Sequence, residues 1–285
     1  MSFYYHFASD IWSNMGFDTL NERQKSYEDV FNYKLPRRTP VLIRVDGANF
    51  SRLCRNLQKP YEPIILDAIA NTMSSCISDM SGAIFGYTQS DEITFVLRND
   101  QTLDSDPWLD NKIQEISSFT ASMATDAFND AIRNIEPKLP LIGKACFKAN
   151  CWVMPSIGEV VNAIIGRQQE CIRGSVSNAA KTLLTEKFGK KTALNMLKSS
   201  YDKPISSKRK IEMIMENCEI SYDEDFPSSF RLGIGIYKVP MLINNSMKNK
   251  WKLDWDLPNF SSNGKDFLHN LITMGHDVFR EEFIE

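Results

Sequence analysis

Histidine is scarce in this sequence, and its few cysteines are scattered. Only three histidines occur among 285 residues, which argues against a catalytic centre or a metal cage built on imidazole. The six cysteines form no Cys-x-x-Cys pair, so nothing indicates a zinc site or a disulfide framework. They are Cys54, Cys76, Cys146, Cys151, Cys171 and Cys218. We therefore expect reduced thiols in a cytosol-like compartment.

Long apolar runs are also missing. No run approaches the ~20 residues that a membrane-spanning helix needs. The first residues lack the basic start and apolar stretch of a secretory signal, and Asp10 is atypical of mitochondrial presequences, which contain few acids. We expect a cytoplasmic protein without a membrane partner, and a mitochondrial location stays open.

The charge balance lacks the excess of positive charge that marks a strong nonspecific binder of nucleic acid. The net charge is −3, and the 42% hydrophobic and 24% charged residues are ordinary globular values. Local basic clusters remain, which are either solvated surface or a modest set of RNA phosphate contacts. They are Arg37 with Arg38, Lys187 with Lys190 and Lys191, and Lys208 with Arg209 and Lys210.

Two acidic motifs follow apolar, β-type runs. Asp46 closes the run at residues 40–45, and Asp91 with Glu92 lies in a polar bend between the runs at 83–88 and 93–97. Two such runs around a tight bend predict a hairpin. Because neighbouring strands lie ~4.8 Å apart, a first strand beside this hairpin brings Asp46 and Asp91 together.

Two clustered carboxylates repel each other unless cations neutralise them. Magnesium is the expected occupant, because it takes oxygen ligands and usually completes its shell with water and substrate phosphates. Two such ions can clamp both ends of an in-line phosphoryl transfer. Each motif alone is more typical of an ordinary turn or a solvated hairpin tip than of a functional site, and their combination favours a metal site.

The predicted element order is that of a split β-α-β unit, as in a polymerase palm, and the predicted fold class is α+β with a ferredoxin-like core. The palm strands are expected at residues 41–46, 83–88, 93–97 and 145–153, with helices at 62–80 and 108–132. Further helices are expected at 20–31, 159–187, 192–199 and 206–217, and a last strand at 230–239. No linker separates the halves. We predict a palm-like catalytic part at 1–155 and a mixed, mainly helical C-terminal part at 156–285, packed as one body.

Several strings resemble the tRNA-histidine guanylyltransferase family, and more narrowly its guanylyltransferase-like branch, whose members polymerise RNA in the 3′-to-5′ direction. They are Leu-Pro-Arg-Arg-Thr-Pro-Val-Leu-Ile-Arg-Val-Asp-Gly at 35–47, Gly-Tyr-Thr-Gln-Ser-Asp-Glu-Ile-Thr-Phe at 86–95, Arg-Gln-Gln-Glu at 167–170 and Glu-Asp-Phe-Pro-Ser-Ser-Phe-Arg-Leu-Gly at 224–233. Because they cover nearly the whole chain in the same order, the resemblance is more specific than any single motif.

The resemblance implies a role for each motif. Asp46 and Asp91 would be catalytic carboxylates that bind metal, with the Gly47 carbonyl as a third ligand. Glu92 would be either a supporting catalytic acid or a hairpin surface charge, and Lys59 either a phosphate ligand or a solvated loop lysine. The other nucleotide-binding positions would be Asp46, Gly47, Ala48, Asn49, Phe50, Ser51, Ser90 and Asp91. The Arg-Gln-Gln element at 167–169 would face the acceptor RNA or form a polar helix face.

The implied activity is template-dependent 3′-to-5′ addition of nucleotides to the 5′ end of tRNA, for repair or maturation. It would use two Mg²⁺ ions, with ATP and GTP as substrates that activate the 5′ end, and the resemblance implies a homotetramer.

Two departures from the family pattern argue against histidine-tRNA specificity. Residues 172–178 read Ile-Arg-Gly-Ser-Val-Ser-Asn instead of His-Ile-Asn-Asn-x-x-Asn, and residues 147–150 read Phe-Lys-Ala-Asn instead of Phe-Asp-Ala-Arg. A guanylyltransferase proper, which adds G opposite a non-complementary base, remains an alternative. So do a palm-type nucleotidyl cyclase and a noncatalytic RNA-binding module.

Overall fold

This computed structural model describes residues 19–101, 105–136, 143–198, 205–243 and 246–275. Within these ranges the strands are β1 (Val41–Gly47), β2 (Ala83–Gln89), β3 (Glu92–Leu97), β4 (Phe147–Val153), β5 (Ile234–Ile243) and β6 (Ser246–Asp254). They form one six-stranded sheet in the order β4-β1-β3-β2-β5-β6, and every pairing is antiparallel.

Helices cover both faces of the sheet. They are α1 (Leu20–Asp29), α2 (Phe50–Leu53), α3 (Pro63–Ser78), α4 (Ile113–Ile135), α5 (Ile157–Phe188), α6 (Lys190–Met196), α7 (Ser207–Cys218), α8 (Tyr222–Asp225), α9 (Ser228–Leu232) and α10 (Lys265–Met274). Local sequence sets several of their starts. Pro63 lies in the first turn of α3, and the Ser156 hydroxyl accepts a hydrogen bond from the Glu159 amide at the start of α5. Within the described ranges, none of these helices has the length and apolar character to cross a membrane.

The alternation along β1 divides the core in two. Val41, Ile43 and Val45 are buried in a cluster with α3 and α4, whereas Leu42 lies in a second cluster with α5 and α10. Burying each such side chain contributes roughly 1.5–3 kcal/mol. Because side chains alternate along a strand, Asp46 continues the Leu42 face and is directed to the α5 side of the sheet.

The predicted α+β class is confirmed, and β1, α3, β2, β3, α4 and β4 follow one another in the predicted order. The helix predicted at 108–132 starts later, because Trp108–Asn111 is a 3₁₀ turn and the α-helix begins at Ile113. The helix predicted at 192–199 is α6, which ends at Met196, and position 199 lies outside the described residues. The division at 155 and 156 stays a prediction, and pairing of β5 with β2 continues the sheet across it.

The strand predicted at 230–239 is present, but its bounds were wrong and the elements after it were missed. Residue Phe230 belongs to α9 rather than to a strand, β5 starts at Ile234, and both β6 and α10 went unpredicted. The β6 sequence, Ser-Met-Lys-Asn-Lys-Trp-Lys-Leu-Asp, has no apolar run. It is an edge strand, where exposed lysines are common because they discourage pairing with other chains.

Candidate active site

Strand pairing brings Asp46 and Asp91 to one corner of the sheet. Asp46 lies opposite Glu92 of β3 on one side and opposite Lys148 of β4 on the other. Asp91 lies in the two-residue turn between β2 and β3, and its carbonyl accepts a hydrogen bond from the Gly47 amide at 3.1 Å. This hydrogen bond holds the hairpin turn against the end of β1, and the sequence predicted that these two segments lie side by side.

The two carboxylates are close enough to influence each other. The pKa of Asp91 is raised above its ordinary value, mainly by burial and further by the negative charge of Asp46. Ser90 and Lys148 act in the opposite direction: the Ser90 hydroxyl lies 3.0 Å from Asp91 Oδ1, and the Lys148 ammonium contributes positive charge. Lys148 Nζ lies 2.7 Å from Asp46 Oδ2. Positive charge beside Asp91 therefore favours its ionised form.

The turn that holds these groups is locally strained. Ser90 has a φ of 53°, in the left-handed region that costs a residue other than glycine roughly 1–2 kcal/mol. Asn49, in the turn after β1, has a φ of 58°, which asparagine tolerates better. Such strain clusters at functional sites, where surrounding structure holds it in place.

Glu92 is not a hairpin surface charge. Its side chain is only 19% exposed, and its carboxylate lies 3.3 Å from Arg167 Nη1 and 4.0 Å from Arg44 Nε. Arg167 also pairs with Glu170 at 2.9 Å. This network joins β3 to α5 and sets one wall of the site.

A cavity of about 390 Å³ opens beside the carboxylates. The polar residues that line it include Asp46, Ser51, Ser90, Asp91 and Glu92. Its apolar lining includes Tyr61, Ile65, Leu66 and Phe230. The Tyr61 and Phe230 rings stack with centroids 4.8 Å apart and an interplanar angle of 27°. An apolar lining with a few polar groups is typical of small-ligand sites of this size.

The remaining residues that were predicted to bind the nucleotide do not all line the cavity. Phe50 borders the cavity, but its ring is buried against Phe128 and Phe147, at centroid distances of 5.2 and 5.1 Å. Gly47 makes room for that ring, because a Cβ there would lie 2.2 Å from Phe50 Cδ2.

Ala48, Asn49 and Lys59 lie outside the set of described residues that line the cavity. The Ala48 amide donates to the Cys146 carbonyl at 2.8 Å, and Lys59 Nζ donates to the Cys54 carbonyl at 3.1 Å.

The expectation that the whole Arg-Gln-Gln element faces RNA was wrong for Gln168. Its side chain is fully buried. Its amide nitrogen donates to the carbonyls of Leu232 and Pro258 at 3.3 and 3.1 Å, and its oxygen accepts from the Phe260 amide at 2.7 Å. Gln168 therefore joins α5 to the end of α9 and to the loop after β6.

We expect Gln168→Leu to destabilise the fold by about 2–4 kcal/mol, because it leaves buried backbone groups without partners. Gln169→Leu is the matched control. Gln169 is exposed and donates only to Ser261 at 3.0 Å, so its change should stay within about 0.5 kcal/mol. Urea unfolding measures both. Equal stability of the two variants would contradict the structural role of Gln168.

Sequence reasoning missed Lys148, Tyr61 and Phe230. Lys148 was noted only as a departure from a family string. The alternation of β4 beside β1 could have placed it opposite Asp46, had the register been known. Tyr61 and Phe230 are 169 residues apart in the chain and give no local signal of their stacking.

Among the residues that the structure describes, no cluster of three or more histidine, cysteine, aspartate or glutamate side chains could hold a metal ion. The predicted ligand set contains only two such side chains, Asp46 and Asp91, with the Gly47 carbonyl as its third member. It therefore relies on two carboxylates and a backbone oxygen.

Comparisons with known proteins agree on one family. The model of the tRNAHis guanylyltransferase (Thg1) family matches residues 21–155. The uncharacterised protein R259 of Acanthamoeba polyphaga mimivirus is 25% identical over 83% of this chain and 82% of its own length. tRNA(His) guanylyltransferase 2 of Arabidopsis thaliana is 23% identical over 82% of this chain, but the match covers only 41% of that protein.

Solved structures extend the match over the C-terminal part. A bacterial tRNA(His) guanylyltransferase (Thg1)-like protein in complex with ATP is 29% identical, with a TM-score of 0.74, and the match covers 90% of this chain and 99% of that one. A GTP complex of such a bacterial protein is 28% identical over the same shares, with a TM-score of 0.69. Over residues 21–155 the chain is similar to the tRNAHis guanylyltransferase family, whose members are nucleotidyltransferases, and its similarity to the bacterial Thg1-like protein extends over 90% of the chain.

Proposed function

We propose that this chain is a magnesium-dependent, template-directed 3′-to-5′ nucleotidyltransferase that extends the 5′ end of tRNA. The observation that carries the proposal is the pair Asp46 and Asp91, which both line a cavity of about 390 Å³. The ATP and GTP complexes of similar bacterial proteins support nucleoside triphosphates as its ligands.

The residues present fit a divalent cation. Burial and the charge of Asp46 raise the pKa of Asp91, so that its ionised form is costly without added positive charge. Asp46, Asp91 and the Gly47 carbonyl would hold the ions, because magnesium prefers oxygen ligands of this kind. When bound, the ions would stabilise negative charge on the reacting phosphates.

The chain itself would bind and orient the substrates. The apolar lining residues Tyr61 and Phe230 would suit a nucleobase, and the carboxylates of Asp46 and Asp91 would suit a metal-bound triphosphate. In the proposed sequence, a 5′-monophosphorylated RNA end first receives AMP or GMP from ATP or GTP, and pyrophosphate is released. The 3′-hydroxyl of an incoming nucleotide then attacks the 5′-phosphate and displaces that nucleotide, or pyrophosphate where the RNA carries a triphosphate. Positioning and electrostatics supply most of the catalysis in such transfers.

The palm interpretation belongs to the same proposal. The order β4-β1-β3-β2, with α3 and α4 packed on one face, is consistent with a palm-like split β-α-β core. We assign residues 1–155 to this catalytic part, of which the structure does not describe residues 1–18. Residues 156–285 form a C-terminal part that completes the cavity through α5 and α9. A cytoplasmic location and a homotetramer complete the proposal.

The decisive test incubates 5′-labelled full-length and 5′-truncated tRNAs with each nucleoside triphosphate and Mg²⁺. We expect the truncated tRNA to be extended at its 5′ end. RNA binding without extension would instead identify a noncatalytic module. Formation of a cyclic nucleotide without RNA would identify a cyclase.

RNA affinity should depend on basic residues of the C-terminal part. Arg209 is engaged by Glu212 and Glu216, at 3.1 and 2.9 Å, so its reversal would disturb α7. Reversing Lys208 and Lys210 to Glu leaves that pairing intact. We expect weaker tRNA binding and a salt slope flatter by about 1.5–2, because two phosphate contacts are lost.

Filter binding across a salt series measures this change. The matched control is Lys248→Glu with Lys250→Glu, which alters the net charge equally at two exposed positions of β6. If both double variants lose the same affinity, net charge rather than the α7 cluster governs binding. An unchanged slope for the Lys208 and Lys210 variant would assign the cluster to solvated surface.

A further inference from the structure

Lys148 lies beside the carboxylate pair, but the proposed reaction gives it no role. It lies directly opposite Asp46 on β4, and its ammonium is 2.7 Å from the Asp46 carboxylate. Its side chain is 64% exposed, so it can leave this position without disturbing the core. The positive charge of Lys148 is also felt at Asp91, where it opposes the rise in pKa.

An ammonium and a metal ion compete for the same carboxylate. Two cations beside Asp46 repel each other, and lysine carries its compact charge on a flexible four-carbon stem. Binding of a cation therefore favours rotamers that move the Lys148 ammonium away from Asp46. After it leaves Asp46, the Lys148 ammonium would be attracted most strongly by the negatively charged phosphates of a nucleotide bound at the same corner of the sheet.

We propose that Lys148 is a positioning residue that neutralises Asp46 while the site is free of metal and turns to the nucleotide phosphates once metal is bound. The inference rests on the proposed function and deepens it. It makes two opposite predictions for one side chain: Lys148 weakens metal binding to the nucleotide-free protein, and it strengthens nucleotide binding to the metal-loaded protein.

Mn²⁺ binding, followed by electron paramagnetic resonance of the full chain, tests the first prediction. We expect Lys148→Met to bind Mn²⁺ about two- to fivefold more tightly than the wild type, since exposed ion pairs contribute at most about 1 kcal/mol. Lys148→Arg keeps the charge and should resemble the wild type. The matched control is Lys144→Met, which removes one positive charge at an exposed position just before β4 and should leave affinity unchanged.

Calorimetric titration with a non-hydrolysable ATP analogue at saturating Mn²⁺ tests the second prediction. We expect Lys148→Met to weaken analogue binding severalfold, and Lys148→Arg to restore it. A side chain with a merely structural role would change neither constant, or both in the same direction, and either result would overturn the inference.

Asp46→Ala separates failure of the inference from failure of the proposed function. If the wild type shows no Mn²⁺ binding that Asp46→Ala removes, the proposed metal site is wrong and the inference falls with it. If that binding is present and Lys148→Met leaves it unchanged, only the role of Lys148 is wrong.

Discussion

Alanine at Asp46 or Asp91 is expected to reduce nucleotide addition by at least about a hundred- to thousandfold while leaving the fold intact. Loss of one ligand removes metal stabilisation of the transition state, which is typically worth several kcal/mol, and each 1.36 kcal/mol corresponds to about tenfold in rate. Single-turnover addition to a 5′-truncated tRNA at saturating Mg²⁺ measures the loss. Asp67→Ala, at an exposed position of α3, is the control of equal charge change and should remain active.

Stability should change in the opposite direction. Because the pKa of Asp91 is raised in the folded protein, its ionisation at neutral pH costs folding free energy. Asp91→Asn removes that cost, so in EDTA at pH 7.5 its thermal midpoint should lie above that of the wild type. The difference should shrink as the pH falls through the raised pKa, and it should vanish below the ordinary value of 3.8, where Asp91 is neutral in both states.

Two results would contradict the two-carboxylate site. One is near wild-type turnover of Asp46→Ala or Asp91→Ala with an unchanged circular dichroism spectrum. The other is a thermal midpoint of Asp91→Asn below that of the wild type without metal, since it would mean that Asp91 is stabilised by its surroundings when ionised.

The part of the site that was predictable is the part encoded locally. Apolar alternation and a tight polar bend identify β1 and the β2–β3 hairpin, and strand spacing then brings Asp46 beside Asp91. The partners of Glu92 could not be read in the same way. Arg167 lies 75 residues further along the chain, and its approach depends on how α5 packs on the sheet. The sequence left open whether the Glu92 side chain is solvated. The packing of α5 on the sheet shows that it is not.

The C-terminal half shows the same limit. Strand β6 pairs with β5 over nine residue pairs. This pairing stabilises it as a strand, although its own residues do not form an apolar strand pattern. Gln168 looks like one member of a polar helix face, yet it bonds to the last residue of α9 and to the loop that follows β6. For Gln168, contacts between distant segments outweigh the local pattern, whereas β6 depends on pairing with the strand that precedes it in the chain.

The base that the chain adds should be selected by pairing with the template strand. The segment at 172–178 lies in α5, and only Gly174 and Ser175 of it line the cavity. Gly174 has no side chain, and the Ser175 hydroxyl lies 2.7 Å from the Tyr222 hydroxyl and 2.9 Å from the Cys171 carbonyl. Because these positions offer little to read a base directly, we expect the opposing nucleotide to be the main source of selectivity in the proposed reaction.

A tRNA that lacks its first 5′ nucleotide should therefore receive whichever nucleotide pairs with the opposing base. A mismatch leaves polar groups unpaired in a partly desolvated site, at a cost of about 1–3 kcal/mol, so discrimination of roughly ten- to hundredfold is expected. Exchanging the opposing C for A should switch incorporation from G to U. The measurement is the amount of each labelled nucleoside triphosphate that is added to the truncated tRNA. Addition of G whatever the opposing base, or only to histidine tRNA, would show that the chain works as a guanylyltransferase proper and that its selectivity comes from protein contacts instead of from the template.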